Sequence, residues 1–218
     1  MQRRVVKDAA PSNINSRRLT QAERRRASER KLLFACAEII VERGLENAPL
    51  SAIADRAGVS HALVTHLFGS KLGMIERLND LVDEFYDINL KNWPRETGLE
   101  TLTEFAEQYL KLATGTDPLG RVHLVLWTEA IAGTSEIRPS RIEWDRHFRR
   151  GVARMISTGI SDGSIPEQID PRATSLVVVG LLRGVALQLV LDRRAATLAI
   201  ASKTTMRMIR SAVGGGPS

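Results

Sequence analysis

The side chains of this 218-residue chain that could do chemistry are few: His61, His66, His123, His147, Cys36 and a sparse set of aromatic residues, 5% of the total. A single cysteine excludes an internal disulfide, and no Cys/His cluster has metal-site spacing. There is no glycine-rich phosphate loop, nucleophile elbow or HExxH motif. Acid pairs such as Glu104/Glu107 and Asp83/Glu84 have the spacing of a solvated helix face. An enzyme, a metal and a cofactor are therefore not expected. A lyase or hydrolase built on His123 or His147 is the catalytic rival; it requires an activity that disappears on His→Ala. What remains is recognition chemistry, and its signature is charge. Residues 1–30 hold nine Lys/Arg against three acids, a net +6 that equals the charge of the whole chain and leaves residues 31–218 neutral. A basic end on a neutral body suits a polyanion partner, although a solvated leader has the same composition.

Two of the four histidines fall in residues 50–69, LSAIADRAGVSHALVTHLFG. A helix-turn-helix needs a small residue where its helices cross, and Ala54 supplies it. Four positions on, the turn needs a residue that tolerates positive φ, and Gly58 supplies that. Ile53, Ala57, Val59, Val64 and Leu67 stand where the helices must lock together, with charge confined between them at Asp55 and Arg56. The second helix of such a motif enters the major groove with its N-terminal residues toward base edges. Ser60, His61 and Ala62 open that helix, with His61 and Ser60 as base readers or near neighbours. Thr65 and His66 lie within reach of bases or phosphates. Lys71, at a helix N-terminus, combines ammonium and helix dipole as a phosphate clamp. Exposed histidines without a role are the bland alternative for His61 and His66.

Segment 31–78 resembles the DNA-binding region of the tetracycline-repressor (TetR) family. The resemblance rests on a long first helix ending at Gly44, on Ile53-Ala54, on Ala57-Gly58-Val59-Ser60, and on Phe68-x-Ser70-Lys71. It implies double-stranded operator DNA as partner and adds Ser51, which matches a family position that can contact DNA. The chain departs from the family pattern at Leu63, Thr65 and Leu67, where Thr, Tyr and His or Tyr are usual, and at Pro49, where Thr is frequent. Those are common phosphate contacts. The basic arm is expected to replace them, because Arg17, Arg18 and Arg24, Arg25 and Arg26 directly precede the first helix, each neutralised phosphate adding about 0.9 to the log–log salt slope; a weakly bound operator is the alternative.

Aromatic side chains cluster beyond the motif. Trp93, Tyr109, Trp127, Trp144 and Phe148 all lie there. His123 and Trp127 share one helix face, and Trp144, His147 and Phe148 share another. A pocket between helices walled by aromatics is the usual small-molecule site of a helical domain, with Phe85 and Asn89 as its lower wall. Plain core packing is the alternative for each. An aromatic cage for a cationic ligand is one form such a pocket takes. The turn from Gly159 through Gly163-Ser164-Ile165-Pro166 to Asp170-Pro171 is loosely similar to the betaine-operon branch of the family, which includes choline sensors.

All these residues must be carried by helices, because no stretch alternates as a strand would. The pattern predicts an all-α chain: a basic flexible arm over 1–19, a helix-turn-helix domain over 20–70, a connecting helix over 71–94 opened by Ser70 and limited by Pro94, and a ligand-binding and dimerisation domain over 95–218. Within the last, helices are expected at 99–113, 118–133, 139–162, 171–191 and 195–213, two of them opened by Asp117-Pro118 and Asp170-Pro171. Residues 171–191 are apolar almost all round, and 195–213 carry a stripe of Leu198, Ala201, Thr205, Met208/Ile209 and Ala212. Together they are expected to form a homodimer through a four-helix bundle, with Gly180 and Gly184 either permitting close approach at the two-fold axis or merely loosening the helix. The most apolar run, 176–191, contains Arg183 and Gln188 and is too short to span a membrane; the N-terminus lacks the apolar region of a secretory signal. A cytoplasmic location is expected. The functional expectation is a transcriptional repressor released from a palindromic operator by a small-molecule effector. Its rival is a helical ligand-binding or scaffold protein whose DNA-binding motif has decayed, motivated by Thr65 and Leu67.

Overall fold

The computed structural model describes residues 20–90, 97–132 and 136–214, with the side chains of 87–90 left out. The expected arm over 1–19, Trp93, the side chain of Asn89 and the end of the connecting helix lie outside the described residues. Among the described residues there are nine helices and no strand. The first, α1 (Gln21–Arg43), opens on a capping box in which Thr20 and Glu23 exchange side-chain and backbone hydrogen bonds, and closes on Gly44, φ 80°. That box satisfies two of the donors a helix start leaves orphaned. Arg24, Arg25 and Arg26 therefore belong to the first turns of a regular helix and are exposed.

Two short helices follow, α2 (Leu50–Ala57) and α3 (His61–Phe68), joined at Gly58, which takes the left-handed conformation at φ 63°, ψ 41°. A side chain there would cost about 1–2 kcal/mol. The residues expected to lock the motif do so: Ile53, Ala54, Ala57 and Val64 are buried, and Val59 and Leu67 are half-buried. They pack with Leu33, Cys36 and Ile40 of α1 in one core. Cys36 behaves there as a small apolar residue; burial pushes its thiol up to about 12.

Helix α4 (Lys71–Leu90) begins where Ser70 accepts a hydrogen bond from Gly73 N–H at 3.0 Å. The body is built from α5 (Gly98–Thr114), α6 (Pro118–Ile131), α7 (Arg138–Ser161), α8 (Pro171–Leu191) and α9 (Leu198–Val213). Asp117 and Asp170 cap α6 and α8, each with proline in the first turn. α5 and α7 approach so closely that a Cβ on Gly98 would sit 2.1 Å from the Gly159 nitrogen. α1 and α4 both pack against α6, so the three-helix head is seated on the body.

α8 corrects one expectation. It begins at Pro171, five residues before the densest apolar run, and its 21 residues are long and apolar enough to cross a membrane, with a mean hydropathy of 2.0 over 18 residues. Length therefore does not exclude a span, contrary to the sequence reading. What opposes it is packing: α8 lies on α7 and α5 and buries Arg183 against Asp145. Within one chain α8 is covered on one side. Val178, Val179, Leu182 and Ala186 face inward, while Leu176, Val177 and Leu191 are exposed, as are Ile200 and Met208 on α9.

Candidate functional site

The α3 end of the head presents the residues that sequence reasoning selected. Ser51, Ser60, His61, Ala62, Thr65 and His66 are all exposed and lie on α2 and α3. Ser60 caps α3 by accepting a hydrogen bond from Leu63 N–H at 3.3 Å, so its hydroxyl is shared between holding the helix and facing outward. Thr65 turns its hydroxyl back to donate to the His61 carbonyl at 3.3 Å. Arg56 is held by Glu42 at 2.8 Å and by Glu38 at 3.2 Å, which fastens α2 to α1 and takes that cation out of play. Lys71 is half-buried, and its ammonium donates to the Leu45 carbonyl at 2.5 Å. It is a link inside the protein; a phosphate contact requires that bond to open.

A second centre lies in the body. Tyr86, Tyr109, His123, Trp144, Phe105 and Phe148 form a continuous stack of rings, with centroid separations of 5.2 to 6.4 Å. His123 is fully buried between two tyrosine hydroxyls. Tyr86 Oη donates to the Gly120 carbonyl at 2.9 Å and lies 3.2 Å from His123 Nδ1, and Tyr109 Oη lies 2.8 Å from Nε2. Because the Tyr86 proton is committed to Gly120, Nδ1 must carry a hydrogen, and Nε2 accepts from Tyr109. Burial first, then the charges of Arg141 and Arg183, hold His123 well below the ordinary histidine range, so it is neutral. Burial likewise raises both tyrosines.

Beside these rings sit two arginines. Arg141, 2% exposed, donates to Asn79 Oδ1 at 2.6 Å and places its guanidinium carbon 4.3 Å from the Trp144 ring centroid. Arg183, 4% exposed, bonds to Asp145 and lies over the rings of Trp127 at 5.3 Å, Phe148 at 5.7 Å and Trp144 at 5.8 Å. Asp145 also pairs with Arg149 at 2.8 Å. Nε and Nη2 of both Arg141 and Arg183 have no hydrogen-bond partner. Burial first, then the neighbouring Arg183 charge, pulls Arg141 down to about 10, so it remains a cation. Trp144 Nε1 donates to Asp83 Oδ1.

Tyr109, His123, Trp144 and Phe148 thus come together as the sequence suggests. Phe85 is half-buried at the margin, edge-on to Tyr86. Trp127 is half-buried and lines a cleft of about 210 Å³ between α6 and α7. His147 is exposed and faces a separate cleft between α4 and α7. Sequence reasoning missed Tyr86, Asn79, Arg141 and Arg183. A lone arginine in the apolar stretch of α8 was a readable sign for Arg183. For Arg141 none existed, because α7 carries arginines at many positions. A cage for a cationic ligand does not fit this centre: Arg141 already lies over the Trp144 ring and Arg183 adds a like charge.

Comparison with known proteins agrees with the head. Residues 32–78 match the family described as bacterial regulatory proteins, tetR family. The transcriptional activator FasR of Mycolicibacterium smegmatis is 42% identical over 71 residues, 33% of this chain and 31% of that protein, so the match spans about a third of the relative. The fold extends further than the sequence likeness. The transcriptional regulator FadR from Bacillus subtilis, solved in complex with stearoyl-CoA, superposes with a TM-score of 0.71 at 21% identity, covering 83% of this chain and 96% of that one. A transcriptional regulator from Saccharomonospora viridis, solved in complex with choline, gives 0.68 at 20% identity, covering 88% and 100%.

Proposed function

We propose that this chain, which belongs to the TetR family of bacterial regulatory proteins, is a transcriptional regulator that binds operator DNA as a homodimer and is released from it by a small-molecule effector. The observation that carries the reading is the exposed leading tip of α3, with Ser60, His61 and Ala62 braced by the Gly58 turn on a buried core. In a helix-turn-helix the N-terminal residues of the second helix are the ones that contact base edges in the major groove. Ser51, Thr65 and His66 flank that tip. The exposed Arg24, Arg25 and Arg26, with the arm before them, supply the salt-dependent part of the affinity. Such a protein works where the chromosome is, in the cytoplasm.

Dimerisation is supported by the uncovered apolar face of α8 and α9. Leu176, Val177, Ile200 and Met208 are more than half exposed, and Gly180 and Gly184 have open space where a side chain would stand. Two copies of this helix pair make a four-helix bundle with small residues at the crossing. Two heads then address a palindrome with half-sites one helical turn, or a multiple, apart.

Effector control is supported by the route between the two centres. α6 carries His123 and Trp127 in the body, and Glu129 near its C-terminal end accepts a hydrogen bond from the Leu45 N–H at 3.2 Å; the Leu45 carbonyl takes Lys71 of α4. Ligand bound beside α6 shifts the α1–α4–α6 junction, and DNA affinity changes by the ligand's preference for one arrangement over the other. Two relatives of the same fold were solved with small molecules bound, which supports the reading.

The inward-turned Thr65 hydroxyl and half-buried Leu67 favour a second reading, a helical ligand-binding protein whose DNA motif no longer binds. A gel shift with the gene's own upstream region at two salt concentrations separates them. The regulator binds tightly, in a salt-sensitive and sequence-dependent way; the rival shows no preference over a scrambled duplex.

A further inference from the structure

Arg141 and Arg183 are the least satisfied charged groups described in the body. Each is more than nine-tenths buried, and each leaves Nε and Nη2 without a hydrogen-bond partner. Orphaned donors on a buried cation are expensive, and proteins keep them where something else completes them. Arg141 lines the 210 Å³ cleft between α6 and α7. Arg183 lies behind it, over Trp127 and bonded to Asp145, both of which also line that cleft. The charges lining it are Arg138, Arg141 and Arg149 against the single carboxylate of Asp145, which two arginines already share. Apolar walls come from Trp127, Ala130, Ile131 and Ile142. An engineered cavity of about 150 Å³ holds benzene, so this space suits a one-ring molecule.

Resting on the effector reading above, we infer that the ligand of this cleft is a small organic carboxylate, its anionic group drawn to two buried cations, Arg141 in the cleft wall and Arg183 behind Asp145, and its body against Trp127. Planar two-oxygen groups match the fork of an arginine, and two such forks in a low-dielectric site select an anion over its neutral counterpart. A cation is rejected by the same charges.

The experiment uses the full chain and a fixed panel: acetate, benzoate, phenylacetate, indole-3-acetate, benzamide, choline and inorganic phosphate. Thermal unfolding and calorimetry are read for the wild type, Arg141→Met, Arg183→Met and Arg183→Lys. At least one ring carboxylate is expected to raise Tm saturably while benzamide and choline do not. Loss of one charged hydrogen-bond partner should weaken its Kd about ten- to a hundredfold in either methionine variant, with Arg183→Lys between. Arg183→Met takes one of two arginines from Asp145 and Arg141→Met leaves Asn79 without its donor, so both variants are expected to melt below the wild type without ligand, and each ligand-induced shift is read against the variant's own baseline. The inference is overturned by no response to any carboxylate, by an equal response to benzamide, by a response to phosphate in place of carboxylates, or by a response that survives Arg183→Met. Operator binding is measured in parallel. Carboxylate binding that leaves DNA bound keeps this site and removes the effector reading; release of DNA by neutral or cationic probes, unchanged in Arg183→Met, does the reverse.

Discussion

Glu129 accepts a hydrogen bond from the backbone N–H of Leu45 at 3.2 Å, tying the end of α6 to the chain just beyond α1. The Leu45 carbonyl accepts from Lys71 at 2.5 Å, so one residue joins the head, the connecting helix and the body. Gly44 stands beside the same carboxylate, and a Cβ there would lie 3.2 Å from Glu129 Oε1.

If that junction carries the signal, Glu129→Ala separates binding from response. DNA affinity without ligand and ligand affinity without DNA should each change little. The factor by which ligand weakens DNA binding should fall toward one, a loss of about 1–3 kcal/mol of coupling. Fluorescence anisotropy on an operator duplex, with and without the carboxylate that binds, measures all three quantities. Undiminished coupling removes Leu45 from the route.

Gly58→Val places a β-branched residue at φ 63°. The head should lose at least about 1–2 kcal/mol, and operator binding should fall with it. Ligand binding in the body should persist, because a Cβ added at Gly58 would meet only the Lys31 ammonium, at 3.9 Å, and nothing of the body. Circular dichroism melts beside calorimetry distinguish this local failure from global unfolding.

The Tyr86–His123–Tyr109 chain makes stability depend on pH. His123 is held well below its ordinary value in the folded state, so the unfolded chain takes up its proton first. Its contribution is therefore complete above about pH 6.5 and declines as pH falls below that, by at most about 1.4 kcal/mol per pH unit for one proton. Chemical denaturation at pH 7.5, 6.5 and 5.5 should show this slope, and His123→Gln should flatten it. Tyr109→Phe, which orphans Nε2, should cost about 1–3 kcal/mol at pH 7.5.

Val177 is 68% exposed on α8. Val177→Glu should leave the single chain folded and convert a dimer to monomers in sedimentation velocity, with operator affinity falling in proportion. A variant that stays dimeric moves the interface elsewhere.

The head was legible in the sequence because a helix-turn-helix constrains each residue type separately: Ala54, Gly58, Val64 and Ser60 each meet a demand that few alternatives satisfy. Helix bounds in the body were legible from proline–aspartate caps and glycine stops, to within about three residues. The body's site was legible only in part. Aromatic side chains announced Tyr109, His123, Trp144 and Phe148, but Tyr86 was passed over for its neighbour Phe85, since a single step along α4 exchanges margin for core. Arg141 and Arg183 were hidden for a deeper reason. Burial of a charge is a property of tertiary packing, and in a helix holding Arg138, Arg141, Arg146, Arg149 and Arg150 no local pattern marks the one that turns inward. Lys71 illustrates the converse, a cation that its position suggests is free and that packing ties to Leu45.

On the proposed function the tip of α3 enters a groove of operator DNA, once per protomer. Hydroxyl-radical footprinting on the gene's upstream duplex, with wild type and His61→Ala, tests it directly. Two symmetric protected patches are expected on one face of the duplex, separated by one helical turn or a multiple, with a relaxed site preference in His61→Ala at unchanged thermal stability. Absence of protection, or equal protection of any duplex offered by both proteins, would contradict it.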